Sequence, residues 1–279
     1  MSRTMVVTGV SSGFGLVIAA EALSQGWRVL GSVRREEDGE ALRKLGGDVG
    51  LLDICDEPSC VAFAEQVNVW CEGSLDCVVH NAGTAYPAPM IGAERQDFRQ
   101  QFEVNTIGHI DFNARLVEPM MQAGGISIFI SSVSTQMPTA LLGPYAASKR
   151  ALEAMAESLA MEVAPLGLRV AVVRPGSYRT AIWKTSVERG AKYLELDSDL
   201  PSKVQEHYQR LGKKVRRAAV DQPMADPEQL GRFVLQVASG KRRGFYHTTP
   251  LFAKTQQFFA WLLPTRIFHR LIRWVLRRA

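Results

Sequence analysis

The segment Thr8-Gly9-Val10-Ser11-Ser12-Gly13-Phe14-Gly15 follows an apolar run, Thr4-Met5-Val6-Val7-Thr8, and leads into helical patterning that reaches Gln25. No other stretch constrains the fold as much. Its glycines allow a tight strand-to-helix turn and a close approach of backbone to an anion, whose charge rests on free N–H groups at the helix N-terminus. A phosphate cradle at the first β-α junction points to a nucleotide-binding α/β fold. Three residues separate the first two glycines, unlike the spacing of the commoner G-x-G-x-x-G fingerprint.

The chain continues in the same rhythm. Strands are expected at 4–8, 28–33, 49–52, 75–79, 126–131, 168–173 and 244–247, with helices at 13–25, 39–45, 57–70, 95–121 and 145–164. Such repetition implies a Rossmann-type, doubly wound parallel sheet in a single α/β domain, and 279 residues suit one domain with a full core. Residues 1–250 read as the catalytic domain and 251–279 as an amphipathic, basic C-terminal extension. Residues 181–225 break the rhythm with two prolines and the cluster Lys213-Lys214-Val215-Arg216-Arg217. They are expected to form a lid over the ligand crevice at the carboxyl ends of the strands.

Composition excludes more than it selects. With 46% hydrophobic and 22% charged residues, neither disorder nor a membrane-embedded chain is implied. Cys55, Cys60, Cys71 and Cys77 form no C-x-x-C pair, and the five histidines are scattered. No metal site is expected. With no secretory signal pattern preceding them, these thiols read as reduced and the protein as cytoplasmic. Ten of the 33 Lys and Arg residues follow Glu228, and no Asp or Glu does, which leaves residues 1–228 at −5. The basic character belongs to the C-terminal segment, and no nucleic-acid partner is implied.

The T-G-x-x-x-G-x-G turn resembles that of the short-chain dehydrogenase/reductase family, and the likeness continues in register. His80-Asn81-Ala82-Gly83 is similar to the family's N-N-A-G, with His80 in place of the first Asn. Asn105 lies in Asn105-Thr106-Ile107-Gly108, and Ser132 ends a strand. Tyr145-Ala146-Ala147-Ser148-Lys149 gives Y-x-x-x-K, and Pro175-Gly176 with Thr180 gives P-G-x-x-x-T. The resemblance covers residues 4 to about 180 and implies a nicotinamide dinucleotide as cofactor. Gly9, Ser11, Ser12, Gly13, Phe14 and Gly15 would hold its pyrophosphate, and Asn81, Ala82 and Gly83 would line its site. Asp53 matches a carboxylate that accepts from the adenine amino group, beside Ile54. Pro175, Gly176, Tyr178 and Thr180 would meet the nicotinamide and diphosphate, although Tyr178 is bulkier than the usual aliphatic residue. At the end of the second strand Val33 occupies the slot where a carboxylate would bind a ribose diol, and Arg34 follows. An arginine there can clamp a 2′-phosphate bidentately, so NADP(H) is expected.

Hydride chemistry at a carbonyl needs a proton donor at the oxygen, and the family likeness assigns that role to Tyr145. A free phenol has a pKa of about 10, so it must be tuned; Lys149, four residues on, shares its helical face. Ser132 matches the serine that hydrogen-bonds the substrate oxygen, whereas Ser131 points to the other face of the strand. Asn105 matches a residue that holds a water against the lysine. The expected activity is interconversion of a ketone or aldehyde with an alcohol, on a lipophilic substrate by likeness to the hydroxysteroid and retinol dehydrogenase branch, in a homodimer. Two alternatives stay open: a β-ketoacyl reductase drawing an acidic carrier to the Lys213–Arg217 cluster, and an NADP(H)-binding sensor without turnover.

At the C-terminus, Arg266, Arg270, Arg273 and Arg277 recur at helical spacing beside Ile267, Phe268, Leu271, Ile272, Trp274 and Val275. The charge-free stretch from Thr255 to Thr265 falls short of the roughly 20 apolar residues that cross a bilayer, and Pro264 interrupts it. The segment is therefore expected to lie on a membrane surface or to pack on the protein's own body or a second subunit.

Overall fold

The computed structural model describes residues 2–85, 87–91, 94–179, 200–221 and 224–278. Seven strands form one sheet: β1 (Thr4–Thr8), β2 (Arg28–Val33), β3 (Asp48–Leu51), β4 (Cys77–His80), β5 (Ile126–Ile130), β6 (Arg169–Pro175) and β7 (Tyr246–Thr249). Their order is β3-β2-β1-β4-β5-β6-β7, and every pair is parallel. Chain order reverses between β1 and β4, so the loops leaving these strands diverge to opposite sides and open a crevice at their carboxyl ends.

Strand periodicity of two sorts the core into layers. Met5, Val7, Val29, Cys77, Val79, Ile128 and Val173 face one side, where α1 (Gly13–Ser24) brings Ile18, Ala19 and Ala22. Val6, Leu30 and Val78 face the other, against Phe63 and Val67 of α3 (Glu57–Trp70). Between α1 and α3 lies the short α2 (Glu40–Lys44), entered through a 3₁₀ turn at Glu36–Gly39.

The single helix expected at 95–121 is three helices: α4 (Arg95–Phe102), α5 (Gly108–Ala114) and α6 (Val117–Ala123). A π turn at Glu103–Ile107 joins the first two and buries Asn105 and Thr106, an offset that ordinary helical spacing does not reveal. The next helix, α7 (Gly143–Val163), carries the Tyr-x-x-x-Lys segment, with Pro144 in its first turn where a missing N–H costs nothing.

Of the expected lid, residues 181–199 and 222–223 lie outside the described residues; the remainder contains α8 (Ser202–Asp221). The last conventional layer element is α9 (Pro227–Ala238), whose Leu230, Val234 and Leu235 complete the α1 side of the core. After β7 the chain forms α10 (Leu251–Leu262) and α11 (Thr265–Arg278), two helices where one was expected. Leu263 is extended and Pro264 follows, so the first helix stops where a proline disfavours its continuation.

Candidate active site

The glycine-rich turn is fixed from both sides. Gly9 N–H donates to the Ser32 carbonyl at 3.1 Å and to its hydroxyl at 3.2 Å, which ties the turn to the end of β2. From β4, Asn81 Nδ2 donates to the carbonyls of Thr8 and Gly9 at 2.9 and 3.1 Å. The Thr8 hydroxyl accepts from the N–H groups of Asn81 and Ala82 at 2.9 and 3.0 Å. Gly15 is enclosed: a Cβ there would lie 2.2 Å from the Gly9 carbonyl oxygen and 2.6 Å from Asn81 Nδ2, so no other residue fits. Gly9 and Gly13 adopt φ of +74° and +62°, in the left-handed region where side chains are strained.

A cavity of about 510 Å³ runs along the carboxyl ends of the central strands. Gly9, Ser11, Ser12, Gly13 and Phe14 form one wall, and Asn81, Ala82 and Gly83 face them. Arg34, Asp53 and Ile54 stand at one end, with Tyr145 and Lys149 at the other. Of the two arginines after β2, Arg35 is committed to Asp38 through bonds of 2.9 and 2.8 Å. Arg34 is exposed at the cavity and has no ion pair among the described residues. One oxygen of Asp53 accepts from the Cys55 N–H at 3.0 Å, which shapes the turn.

At the inner end Tyr145 neighbours Ser132; burial raises the phenol's pKa and the Ser132 hydroxyl opposes the rise. Lys149 is buried and donates from Nζ to the Ile130 carbonyl at 2.8 Å. Burial pushes its pKa down to about 8, against the attraction of Glu153. The Ser132 hydroxyl also accepts from the Ser134 N–H at 3.2 Å, so the turn after β5 sets its position. The Asn105 side chain is wholly buried and locked on Thr84: Oδ1 accepts from its N–H at 2.9 Å, and Nδ2 donates to its carbonyl at 2.8 Å. It therefore pins the loop after β4 to the π turn.

Several residues that sequence reasoning did not single out hold this arrangement. Glu153, one helical turn beyond Lys149, accepts from the Ser131 hydroxyl at 2.7 Å and from Thr135 Oγ1 at 3.0 Å. It also forms a bidentate pair with Arg174, both bonds 2.8 Å, and both partners are buried. Ser131 itself lines the cavity, and its hydroxyl serves as the tether to Glu153. Beneath the β4 loop, His80 Nε2 meets Asn113 Oδ1 at 3.0 Å, and His109 Nε2 meets the Ala82 carbonyl at 2.6 Å. Burial pushes the pKa of His80 down to about 4 and that of His109 well below its ordinary range. Ser32, Val33, Leu52, Thr84, Gln100, Val104 and Ile130 line the cavity as well, and only the first two carried a signal, as the end of the second strand.

The far side differs from expectation. Tyr178 is buried, with its ring edge-on to Phe14 at 5.5 Å and its hydroxyl 2.9 Å from Thr249 Oγ1. Its bulk is absorbed by the core, so the side chain does not line the cavity. Gly176 N–H donates to the Thr249 carbonyl at 2.8 Å, and a Cβ on it would lie 2.8 Å from Ala253 Cβ. Pro175 and Gly176 therefore abut β7 and the start of α10. Thr180 lies outside the described residues. Among the described residues no group of three or more His, Cys, Asp or Glu side chains could hold a metal ion.

A parallel sheet with a glycine cradle at its order reversal defines a Rossmann-type, nucleotide-binding protein. The model of the short chain dehydrogenase family matches residues 3–191, and the chain belongs to that family, whose members are oxidoreductases that bind NAD or NADP. It is 34% identical over 246 residues to the uncharacterized oxidoreductase YusZ of Bacillus subtilis, covering 85% of each chain. It is 36% identical over 210 residues to human retinol dehydrogenase 5, covering 72% of this chain and 64% of that one. An NADPH-dependent 3-dehydrocapnine reductase of Ornithobacterium rhinotracheale is 33% identical over 206 residues, 70% of this chain and 72% of its own. The crystal structure of a short-chain dehydrogenase from Streptomyces avermitilis superposes with a TM-score of 0.78 at 26% identity, covering 98% of this chain and 96% of that one.

Proposed function

We propose that the protein is an NADP(H)-dependent oxidoreductase interconverting a lipophilic ketone or aldehyde with its alcohol, with Tyr145 as general acid and base. The observation that carries this reading is one cavity lined by Tyr145 and buried Lys149, with Ser132 next to the tyrosine, and by Arg34, which is exposed and has no ion pair among the described residues.

The cavity suits the dinucleotide: around Gly13 the position of a Cβ is open space, and the Ser12 side chain caps nothing in its own helix. Gly9 to Phe14 would hold the pyrophosphate, Asp53 and Ile54 would flank the adenine, and Arg34 would meet the 2′-phosphate. When bound, the nicotinamide supplies or accepts the hydride. In reduction, Ser132 and Tyr145 donate hydrogen bonds to the substrate oxygen, and Tyr145 gives up its phenolic proton as that oxygen becomes an alkoxide. The phenol's raised pKa keeps it protonated and ready to donate. The ammonium of Lys149 then stabilises the phenolate. Asn105 acts by holding Thr84, and through it the loop that faces Lys149: a Cβ on Gly83 would lie 3.7 Å from Nζ.

Support for a lipophilic substrate comes from the names of relatives, one a retinol dehydrogenase. A cytoplasmic homodimer is the assembly proposed. The test is NADPH consumption with a panel of lipophilic ketones. Turnover with at least one, and none with carbonyl-free analogues, supports the reading; cofactor binding without turnover on any member identifies a sensor instead.

A further inference from the structure

We propose that α10 and α11 form a docking surface for an anionic lipid bilayer, lying in the headgroup layer without crossing it.

On α10 the usual arrangement of an amphipathic helix is reversed. Leu251, Phe258 and Leu262 recur at spacings of seven and four, so they share one face, and that face is exposed at 75%, 53% and 54%. Phe259 and Trp261 flank it, the indole 79% exposed. The inward face is small and polar instead. Ala253 packs against Gly176, and Gln257 Oε1 accepts from the Thr248 hydroxyl at 2.7 Å. A helix that turns its large apolar residues outward and its glutamine inward is built for a second apolar phase.

On α11, Phe268 and Ile272 are partly buried, and the helix packs against α8. Ile267 and Leu271 stay about half exposed, and Arg266, Arg270 and Arg273 form a stripe beside them. No acidic residue follows Glu228, so nothing in this segment repels a negative surface. Arginine stems can lie along an apolar layer while their guanidinium groups reach phosphate, and an exposed indole suits the boundary between headgroup and acyl chain. Charge complementarity thus selects an anionic lipid surface over a neutral apolar partner. Among the described residues no helix is long and apolar enough to cross a membrane. Because Ala253 abuts Gly176 just after β6, α10 begins at the carboxyl end of the sheet, the end at which the crevice opens.

Flotation with phosphatidylglycerol/phosphatidylcholine vesicles tests the proposal on the full chain. Wild-type protein is expected to float with these vesicles at low salt, to blue-shift its tryptophan emission, and to stay behind with pure phosphatidylcholine. The combined Phe258→Ser, Trp261→Ser and Leu262→Ser variant is expected to lose at least tenfold in vesicle affinity while its cofactor binding and folding are unchanged. Failure of the wild type to float overturns the proposal, and a dimer that the same three substitutions dissociate would then assign the face to a second copy of the chain. Undiminished flotation of the triple variant also overturns it, since charge alone would account for the binding. Neither result depends on catalytic turnover, so the proposed activity stands or falls separately.

Discussion

Arg34 and Arg35 are adjacent, yet only one is available to a ligand. Arg35 is held bidentately by Asp38, whereas Arg34 stands exposed at the cavity. Arg34→Ala is expected to lower kcat/KM for NADPH by about 10- to 100-fold, the loss of one charged hydrogen-bonding group, and to leave NADH use nearly unchanged. Steady-state kinetics with both cofactors checks it; equal losses would place Arg34 outside the discrimination. Glu153 holds the opposite end. Removing its charge takes away an attraction that raises the Lys149 pKa, so that pKa falls further below about 8. The ammonium form is lost as pH rises, and Glu153→Gln should therefore shift the alkaline limb of the kcat/KM profile to lower pH. It should also cost about 3–5 kcal/mol of stability, because Arg174 is left buried without its partner. A stability loss with an unmoved pH profile would reduce Glu153 to a structural tether. Tyr145, Lys149 and Ser132 could be singled out in the sequence because their spacing resembles a known order. Glu153 and Arg174 could not, since their pairing joins α7 to β6 across 21 residues and leaves no periodic trace.

Elements that follow from a simple period were legible: the seven strands and the helices at α1, α3 and α7 fall within a few residues of their expected positions. The misses have physical causes. The π turn shifts the register between α4 and α5 while the apolar pattern runs on. The end of β4 shows what a local departure can do. His80 replaces an expected Asn and stacks on Phe129 at 4.4 Å, wholly buried. Its pKa of about 4 lies below the ordinary value of 6.5, so between these pH values the unfolded chain binds a proton that the folded chain refuses. Stability is therefore lost as pH falls through this window, by about 3 kcal/mol, with the buried His109 acting in the same direction. Denaturant unfolding at pH 7 and pH 4.5 measures the slope. His80→Asn should lower stability at pH 7 by loss of packing but flatten the dependence on pH; an unchanged slope would clear His80 of the effect.

For the molecule as a whole, the sheet places the glycine-rich turn, an exposed arginine, Tyr145 and Lys149 along one crevice, where the turns after β1 and β4 meet the ends of β2 and β5 and the start of α7. In the proposed activity Tyr145 supplies and takes the proton of a carbonyl–alcohol interconversion. Comparison of wild type with Tyr145→Phe, in NADPH turnover on a responsive lipophilic ketone and in NADPH affinity measured by fluorescence titration, tests it most directly. The phenylalanine keeps the ring and removes only the proton donor, so kcat is expected to fall about 10²- to 10⁴-fold while the NADPH Kd stays within about threefold. Turnover within tenfold of wild type would show that another group carries the proton.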